Sequence, residues 1–184
     1  MNTNMHNDVE SILLTAEQID GLTTRLGEQI TEDYKNSKKL VLLCILKGSV
    51  VFYADLMRKI GVPCVLEFMR VSSYKGTETT HQITVLLDVD KKNLSGSDVI
   101  IVEDIIDSGN TLAHLKNYIS SKGARSVKTC TLLDKPSRRE VNLTPDYVVA
   151  EIPDEFVIGY GLDYNETYRN LPYVGILKRE VYEK

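Results

Sequence analysis

The chain has 184 residues with a formal net charge of −4 and a pI near 5.4. That length suits one domain able to bury most of its apolar surface, and it leaves no room for a second catalytic or DNA-binding module. An acidic balance argues against nucleic-acid binding, which relies on clustered Lys and Arg to neutralise phosphates. No apolar run reaches membrane-spanning length, and the start, MNTNMHNDVE, has neither the basic residues nor the apolar core of a signal peptide. A cytoplasmic protein without a membrane partner is expected. Cys44, Cys64 and Cys130 are odd in number, widely spaced and set in apolar runs, which favours reduced packing residues over a disulfide or metal site. His6, His81 and His114 have no metal-ligand spacing.

In chain order, Thr15 caps a first helix with Gln18 three residues on, and Ile19, Leu22, Leu26 and Ile30 follow at helical spacing. Residues 40–46 form an apolar strand, and Lys47-Gly48-Ser49 turns it into a helix striped by Phe52, Leu56 and Ile60 and closed by Gly61. Residues 62–69 make the next strand. Polar residues from Arg70 to Gln82, including Ser72-Ser73-Tyr74 and Gly76, interrupt the pattern and read as a mobile lid before extended structure resumes at 83–87. After residue 111, Leu112, Leu115 and Ile119 stripe a helix ended by Gly123, and residues 126–133 form another strand. Short extended pieces follow at 147–150 and 156–158, with a final strand at 173–177. Alternating strands and helices without internal repeats indicate an α/β domain with a central, mainly parallel sheet flanked by helices.

The densest chemistry lies between Val99 and Leu112, VIIVEDIIDSGNTL. Val99 to Val102 read as a strand buried on both faces, and Glu103 and Asp104 fall at its carboxyl end, the edge where open α/β sheets bind ligands. Asp107-Ser108-Gly109-Asn110-Thr111 then opens a helix with small and hydroxyl residues, a turn that suits a phosphate monoester. Taken alone, that pentapeptide is only a helix cap, and Lys47 only a solvated lysine. Carboxylates repel phosphate but accept hydrogen bonds from vicinal sugar hydroxyls and reach a cation that neutralises polyphosphate. A phosphorylated ribose meets both demands.

This segment resembles the phosphoribosyl-pyrophosphate (PRPP) signature of type I phosphoribosyltransferases, and the wording EDIIDSGNTL resembles their hypoxanthine-guanine branch. Further matches occur in order at Leu46-Lys47-Gly48-Ser49, Ser73-Tyr74, Leu132-Leu133-Asp134-Lys135-Pro136 and the run from Ile152 to Tyr164. Ser49 stands where some members have glycine, and Asn110 where some have lysine. The resemblance implies one phosphoribosyltransferase domain over residues 1–184, with a lid at about 70–82 and a small hood built from the N- and C-terminal segments. It implies Mg²⁺-dependent transfer of 5-phosphoribosyl from PRPP to hypoxanthine or guanine, giving IMP or GMP and pyrophosphate.

By the same resemblance, Glu103 and Asp104 orient the ribose, Asp107 accepts the purine N7 proton, and Ser108, Gly109, Asn110 and Thr111 hold the 5′-phosphate. Lys47, Gly48 and Arg169 meet pyrophosphate, with a cis peptide at Leu46–Lys47 aiming N–H groups at it. Lys135 bonds the purine 6-oxygen, Phe156 stacks on the ring and Val157 uses its main chain on the base edge. Asp163 lies beside the purine and shares the metal with Glu103 and Asp104. Ser73 and Tyr74 close the lid, and the assembly implied is a homodimer or homotetramer. Lysine has only donors and so favours a 6-oxo over a 6-amino purine. Two other readings stand beside this one, a nucleotide-sensing regulator on the same fold and an enzyme for adenine or a pyrimidine. The retained Asp107, Lys135 and Asp163 weigh against the first, and the pairing of Lys135 with Phe156-Val157 against the second.

Overall fold

A computed structural model describes residues 4–74 and 82–183. The chain runs through β1 (Val9–Leu14), α1 (Ala16–Tyr34), β2 (Leu40–Leu46), α2 (Val50–Met57), β3 (Cys64–Tyr74), β4 (Gln82–Leu87) and α3 (Lys91–Leu94). It continues through β5 (Asp98–Ile106), α4 (Asn110–Ser121), β6 (Ser126–Asp134), β7 (Tyr147–Glu151), β8 (Val157–Ile158), β9 (Val174–Leu177) and α5 (Arg179–Tyr182). Six strands form one sheet in the order β4-β3-β2-β5-β6-β7, parallel except for the antiparallel edge strand β4. Strands β1, β9 and β8 form a separate antiparallel sheet from the two ends of the described chain.

The period of two along β2 and β5 decides how the layers pack. Leu40, Leu42, Cys44, Ile100 and Val102 enter one core with α1 and α2, through Ile19, Leu26, Ile30, Phe52 and Leu56. Val41, Leu43, Ile45, Val99 and Ile101 enter a second core with Leu112, Leu115 and Ile119 of α4. Continuous apolar strands are thus buried on both faces, as a parallel sheet between helices requires. Full burial of each such side chain contributes about 1.5–3 kcal/mol, so the two central strands form a rigid base for whatever stands at their carboxyl ends. The α1 start carries the expected capping box, with the Gln18 N–H donating to Thr15 Oγ1 (3.2 Å) and the Thr15 N–H donating to Gln18 Oε1 (2.8 Å). All three cysteines are free, and among the described residues no helix is long and apolar enough to cross a membrane.

Three expectations need correction. The interruption read from Arg70 onward begins and ends as strand: β3 continues to Tyr74 and pairs with β4 from Arg70↔Leu87 to Tyr74↔Gln82. Val71, Ile83, Thr84 and Val85 are β-branched residues that favour extended pairing, and Val71 and Val85 pack partly buried against the second core. The central part of the expected lid, residues 75–81, lies outside the described residues. Helix α2 ends at Met57, before Gly61, although Ile60 beyond it is buried. Strand β1 had no counterpart in the sequence reading, because its partner β9 lies far along the chain.

The amino-terminal edge of the sheet is tied by Asp98, the first residue of β5. Its carboxylate accepts hydrogen bonds from Arg125 Nε (2.9 Å), Ser37 Oγ (2.6 Å) and Ser126 Oγ (2.7 Å), joining the segments that start β2, β5 and β6. These donors, led by Arg125, hold the carboxyl down at about 2 against the opposing effect of burial. A depressed acid stabilises the fold above its unfolded value of about 4, and that contribution fades as pH falls towards the folded value. Asp98→Asn is therefore expected to cost about 1–3 kcal/mol at neutral pH and to flatten the loss of stability between pH 4 and 2. Urea unfolding across that range checks both effects.

Candidate active site

Strand β5 runs through Ile106, so Glu103 and Asp104 belong to its last four residues and point to opposite faces. Glu103 is only 9% exposed and Asp104 is half-buried. Burial, reinforced by the neighbouring Asp104, raises the Glu103 carboxyl well above the usual range. Burial also pushes Asp104 up to about 6, with Asp163 adding to the effect and Arg169 opposing it. Two acids held this way have few protein donors and favour a ligand that brings hydroxyls or a cation.

The turn after β5 enters α4 through Gly109, whose φ of +84° lies in the left-handed region. The helix start leaves its first N–H groups without intrahelical partners; the Asn110 N–H donates to Ser108 Oγ (3.3 Å), and a cavity of about 220 Å³ is bounded by Glu103 to Gly109, Thr111 and Leu112. The neighbouring segment from Arg138 to Val141 clasps this turn. Arg139 Nη1 donates to the Asp107 carbonyl (2.8 Å), its other arm pairs with Asp134, and the Glu140 N–H donates to the Ser108 carbonyl (3.0 Å). Asn110 Nδ2 donates to Glu140 Oε2 (2.6 Å). The sequence reading missed Arg139 and Glu140. The signal for them was the basic pair Arg138-Arg139 just beyond β6, the strand beside β5.

The end of β2 supplies the second wall. The Leu46–Lys47 peptide is cis, as the resemblance implied. Gly48 has no space for a side chain, because a Cβ there would lie 1.6 Å from Asp104 Oδ2. Buried Ser49 donates its hydroxyl to the Ile45 carbonyl, which gives this departure from glycine a local role. The loop after β8 closes on the same turn. A Cβ on Gly161, at φ +102°, would meet the Gly48 carbonyl oxygen at 2.0 Å.

That loop gathers Tyr160, Asn165, Glu166 and Tyr168 at positive φ, a concentration of costly backbone conformations that tertiary contacts must hold. Arg169 Nη2 pairs with Asp163 Oδ1 (2.7 Å), Nη1 donates to the Gly161 carbonyl (2.8 Å), and Nε is buried without a partner. Asp163 Oδ2 accepts the Glu166 N–H (2.9 Å). The Glu166 carboxylate pairs with Lys47 Nζ at 2.9 Å and reaches Arg169 at 3.5 Å. Glu166, also missed by the sequence reading, thus sits between the two cations assigned to pyrophosphate.

Lys135, where β6 ends, is 6% exposed, with Nζ 3.6 Å from Asp107 Oδ1 and 3.9 Å from Asp154 Oδ1. Its N–H donates to the Ile106 carbonyl (3.0 Å), which fixes it beside the end of β5. A second cavity, of about 280 Å³, is bounded by Lys135, Phe156, Val157, Leu162 and Asp163, and shares Asp104, Ile105 and Asp107 with the first. The two form one cleft along the carboxyl ends of β5 and β6. Ser73 and Tyr74 end β3 opposite Ile83 and Gln82.

The three acids expected at the metal, Glu103, Asp104 and Asp163, all stand along the cleft. Among the described residues no three His, Cys, Asp or Glu side chains form a preassembled metal group, and Asp163 pairs with Arg169 and accepts the Glu166 amide. The donors are all hard carboxylate oxygens, a partial set of the kind Mg²⁺ takes when substrate oxygens and water complete its shell.

Residues 11–165 match the phosphoribosyl transferase domain family. The chain belongs to the phosphoribosyltransferases. It is 48% identical over 98% of its length to a hypoxanthine-guanine phosphoribosyltransferase of Staphylococcus epidermidis, covering 100% of that relative. A Staphylococcus aureus relative of the same name is 47% identical over 97% of this chain and 99% of its own. The fold superposes on a crystal structure of a Staphylococcus aureus hypoxanthine phosphoribosyltransferase with a TM-score of 0.93, at 45% identity and 100% coverage of both chains.

In this phosphoribosyltransferase the Gly48 contact makes a direct test of the site. Gly48→Ala forces the Asp104 carboxylate or the turn to move, and a displacement of about 1 Å at reacting groups costs roughly 10²-fold in rate. Steady-state kinetics should show that loss, with the unfolding midpoint measured in parallel to separate it from global destabilisation.

Proposed function

We propose that this phosphoribosyltransferase transfers the 5-phosphoribosyl group of PRPP to N9 of hypoxanthine or guanine, giving IMP or GMP and releasing pyrophosphate. The observation that carries the reading is the buried Lys135 ammonium, in a cavity walled by Phe156 and opening through Asp107 into the phosphate-sized cavity. A donor-only group there selects an acceptor at purine carbon 6, and Phe156 offers an apolar face for the ring. The names of the relatives support the same choice of base.

In this reading Ser108 to Thr111 hold the 5′-phosphate at the start of α4, and Glu103 and Asp104 accept the ribose hydroxyls. The bond from ribose carbon 1 to pyrophosphate breaks as the bond to N9 forms, with positive charge developing on the sugar. Lys47, Arg169 and the N–H groups around Gly48 stabilise the departing pyrophosphate, in competition with Glu166, which pairs with both cations. Asp107 accepts the N7 proton, and Val157 meets the base edge through its main chain. Asp163, beside the purine, and the Glu103-Asp104 pair are the residues that would hold Mg²⁺, whose chemistry is to neutralise and orient polyphosphate. Ser73 and Tyr74 would close over the site and exclude water that could capture the sugar cation. Assembly as a homodimer or homotetramer in the cytoplasm belongs to the same proposal. The exposed Val65, Leu66, Phe68, Leu86 and Leu87 on the β3–β4 side support a protein contact there.

A spectrophotometric assay with PRPP, Mg²⁺ and each of hypoxanthine, guanine, xanthine and adenine tests the proposal. Hypoxanthine or guanine should turn over, chelation should stop the reaction, and adenine should be at least about 10⁴-fold poorer in kcat/KM. PRPP binding without turnover of any base would overturn it. Asp107→Asn should lower kcat by about 10²–10⁴-fold with PRPP affinity retained, and Lys135→Ala should raise KM for the purine.

A further inference from the structure

Phe156 is 38% exposed and stands immediately before β8. Two tyrosines hold its ring. The Tyr182 ring of α5 stacks on it with centroids 5.0 Å apart and planes within 24°. The Tyr164 ring meets it edge-on at 5.6 Å and 88°. Both arrangements are favoured by the aromatic quadrupole. Phe156 borders the base cavity, whereas neither Tyr182 nor Tyr164 is among its lining residues, so the face of the ring stacked on Tyr182 is covered from outside the cavity lining.

The backbone supports the same geometry. The Leu177 N–H donates to the Phe156 carbonyl at 2.8 Å, and the Lys178 N–H donates to the Asp8 carbonyl at 2.9 Å. Val181 and Tyr182 then pack onto the small core of Ile158, Leu171 and Leu177. One short segment, residues 177–182, therefore anchors both the main chain and the ring plane of Phe156. Rotation about the last side-chain torsion of phenylalanine is otherwise broad, and a base that stacks on a freely rotating ring must order it on binding.

We infer that Tyr182 is a positioning residue for the purine: it backs Phe156 from the side away from the cavity, so that base, Phe156 and Tyr182 form a three-layer stack. The inference rests on the base-site reading above. Tyr182 touches neither ribose nor phosphate groups in this arrangement, and its effect is confined to ligands that carry a base.

The test measures KM for hypoxanthine and for PRPP, together with calorimetric affinities for GMP and for ribose 5-phosphate, in the wild type and in Tyr182→Ala, Tyr182→Leu and Tyr182→Phe. Tyr182→Ala should raise the hypoxanthine KM and the GMP Kd by about 3- to 10-fold, with PRPP KM and ribose 5-phosphate Kd within about twofold. Tyr182→Leu, which keeps bulk in the small core but lacks a flat ring, should show the same penalty with an unchanged unfolding midpoint, and it carries the test if Tyr182→Ala does not fold. Tyr182→Phe should restore wild-type values. Unchanged GMP and hypoxanthine constants in Tyr182→Leu overturn the inference, as does an equal loss of ribose 5-phosphate affinity or a failure of Tyr182→Phe to rescue. A wild type that turns over no 6-oxopurine and binds no GMP overturns the base-site reading itself, an outcome separate from active wild type with indifferent variants.

Discussion

The site depends on one steric constraint, the absence of a side chain at Gly48. The Asp104 carboxylate occupies the space a Cβ would need, and Gly161 brings its own backbone against the Gly48 carbonyl from the other side. Three separate pieces of chain, the ends of β2 and β5 and the loop after β8, can meet only because two of them present bare backbone there. Every charged group assigned to PRPP or pyrophosphate is attached to one of those three pieces or to the α4 start that follows β5.

That convergence creates an electrostatic problem whose resolution explains the arrangement of charges. Glu103 and Asp104 are buried acids with raised pKa values, and Lys135 is a buried cation. Desolvation disfavours each of them unless opposite charge or hydrogen bonds compensate. Lys135 lies between Asp107 and Asp154, and Arg169 between Asp163 and Glu166. The cations proposed for pyrophosphate, Lys47 and Arg169, are paired with Glu166 and Asp163. A polyanion entering there exchanges one set of ion pairs for another rather than meeting bare charge, which makes the exchange a matter of geometry more than of total charge.

The parallel sheet and the small antiparallel sheet divide the labour. Central strands buried on both faces hold the residues proposed for phosphate and ribose on rigid backbone. The small sheet carries Phe156 and Val157 on or beside β8, and its partner β9 leads to the helix that backs Phe156. In the proposed function the base is met by residues from the end of β6 and from the C-terminal segment, while the groups proposed for the sugar phosphate lie almost wholly on one strand-turn-helix unit.

Local chemistry was legible in the sequence where consecutive residues carry it. The apolar run 99–102, the acid pair and the Asp-Ser-Gly-Asn-Thr turn encode strand, carboxyl edge and helix start in one stretch, and Thr15 with Gln18 encodes a cap in four residues. Arg139, Glu140 and Glu166 were not legible, because a charged loop residue reads as solvated until its partner is known, and their partners Asp107, Asn110 and Lys47 lie 30 or more residues away. The same holds for β1, whose pairing with β9 spans nearly the whole chain, and for the continuation of β3 past Arg70, where a run of polar residues in the sequence resembles a loop. By itself the sequence determined the α/β class, the two-sided burial of the central strands and the PRPP-type turn, since periodicity and short-range turn chemistry are properties of neighbouring residues. Only the tertiary structure decided that Gly48 and Gly161 touch, that Glu166 bridges Lys47 and Arg169, and that Tyr182 stacks behind Phe156. Those contacts arise from the meeting of distant backbone segments, and no local pattern encodes the distance between them.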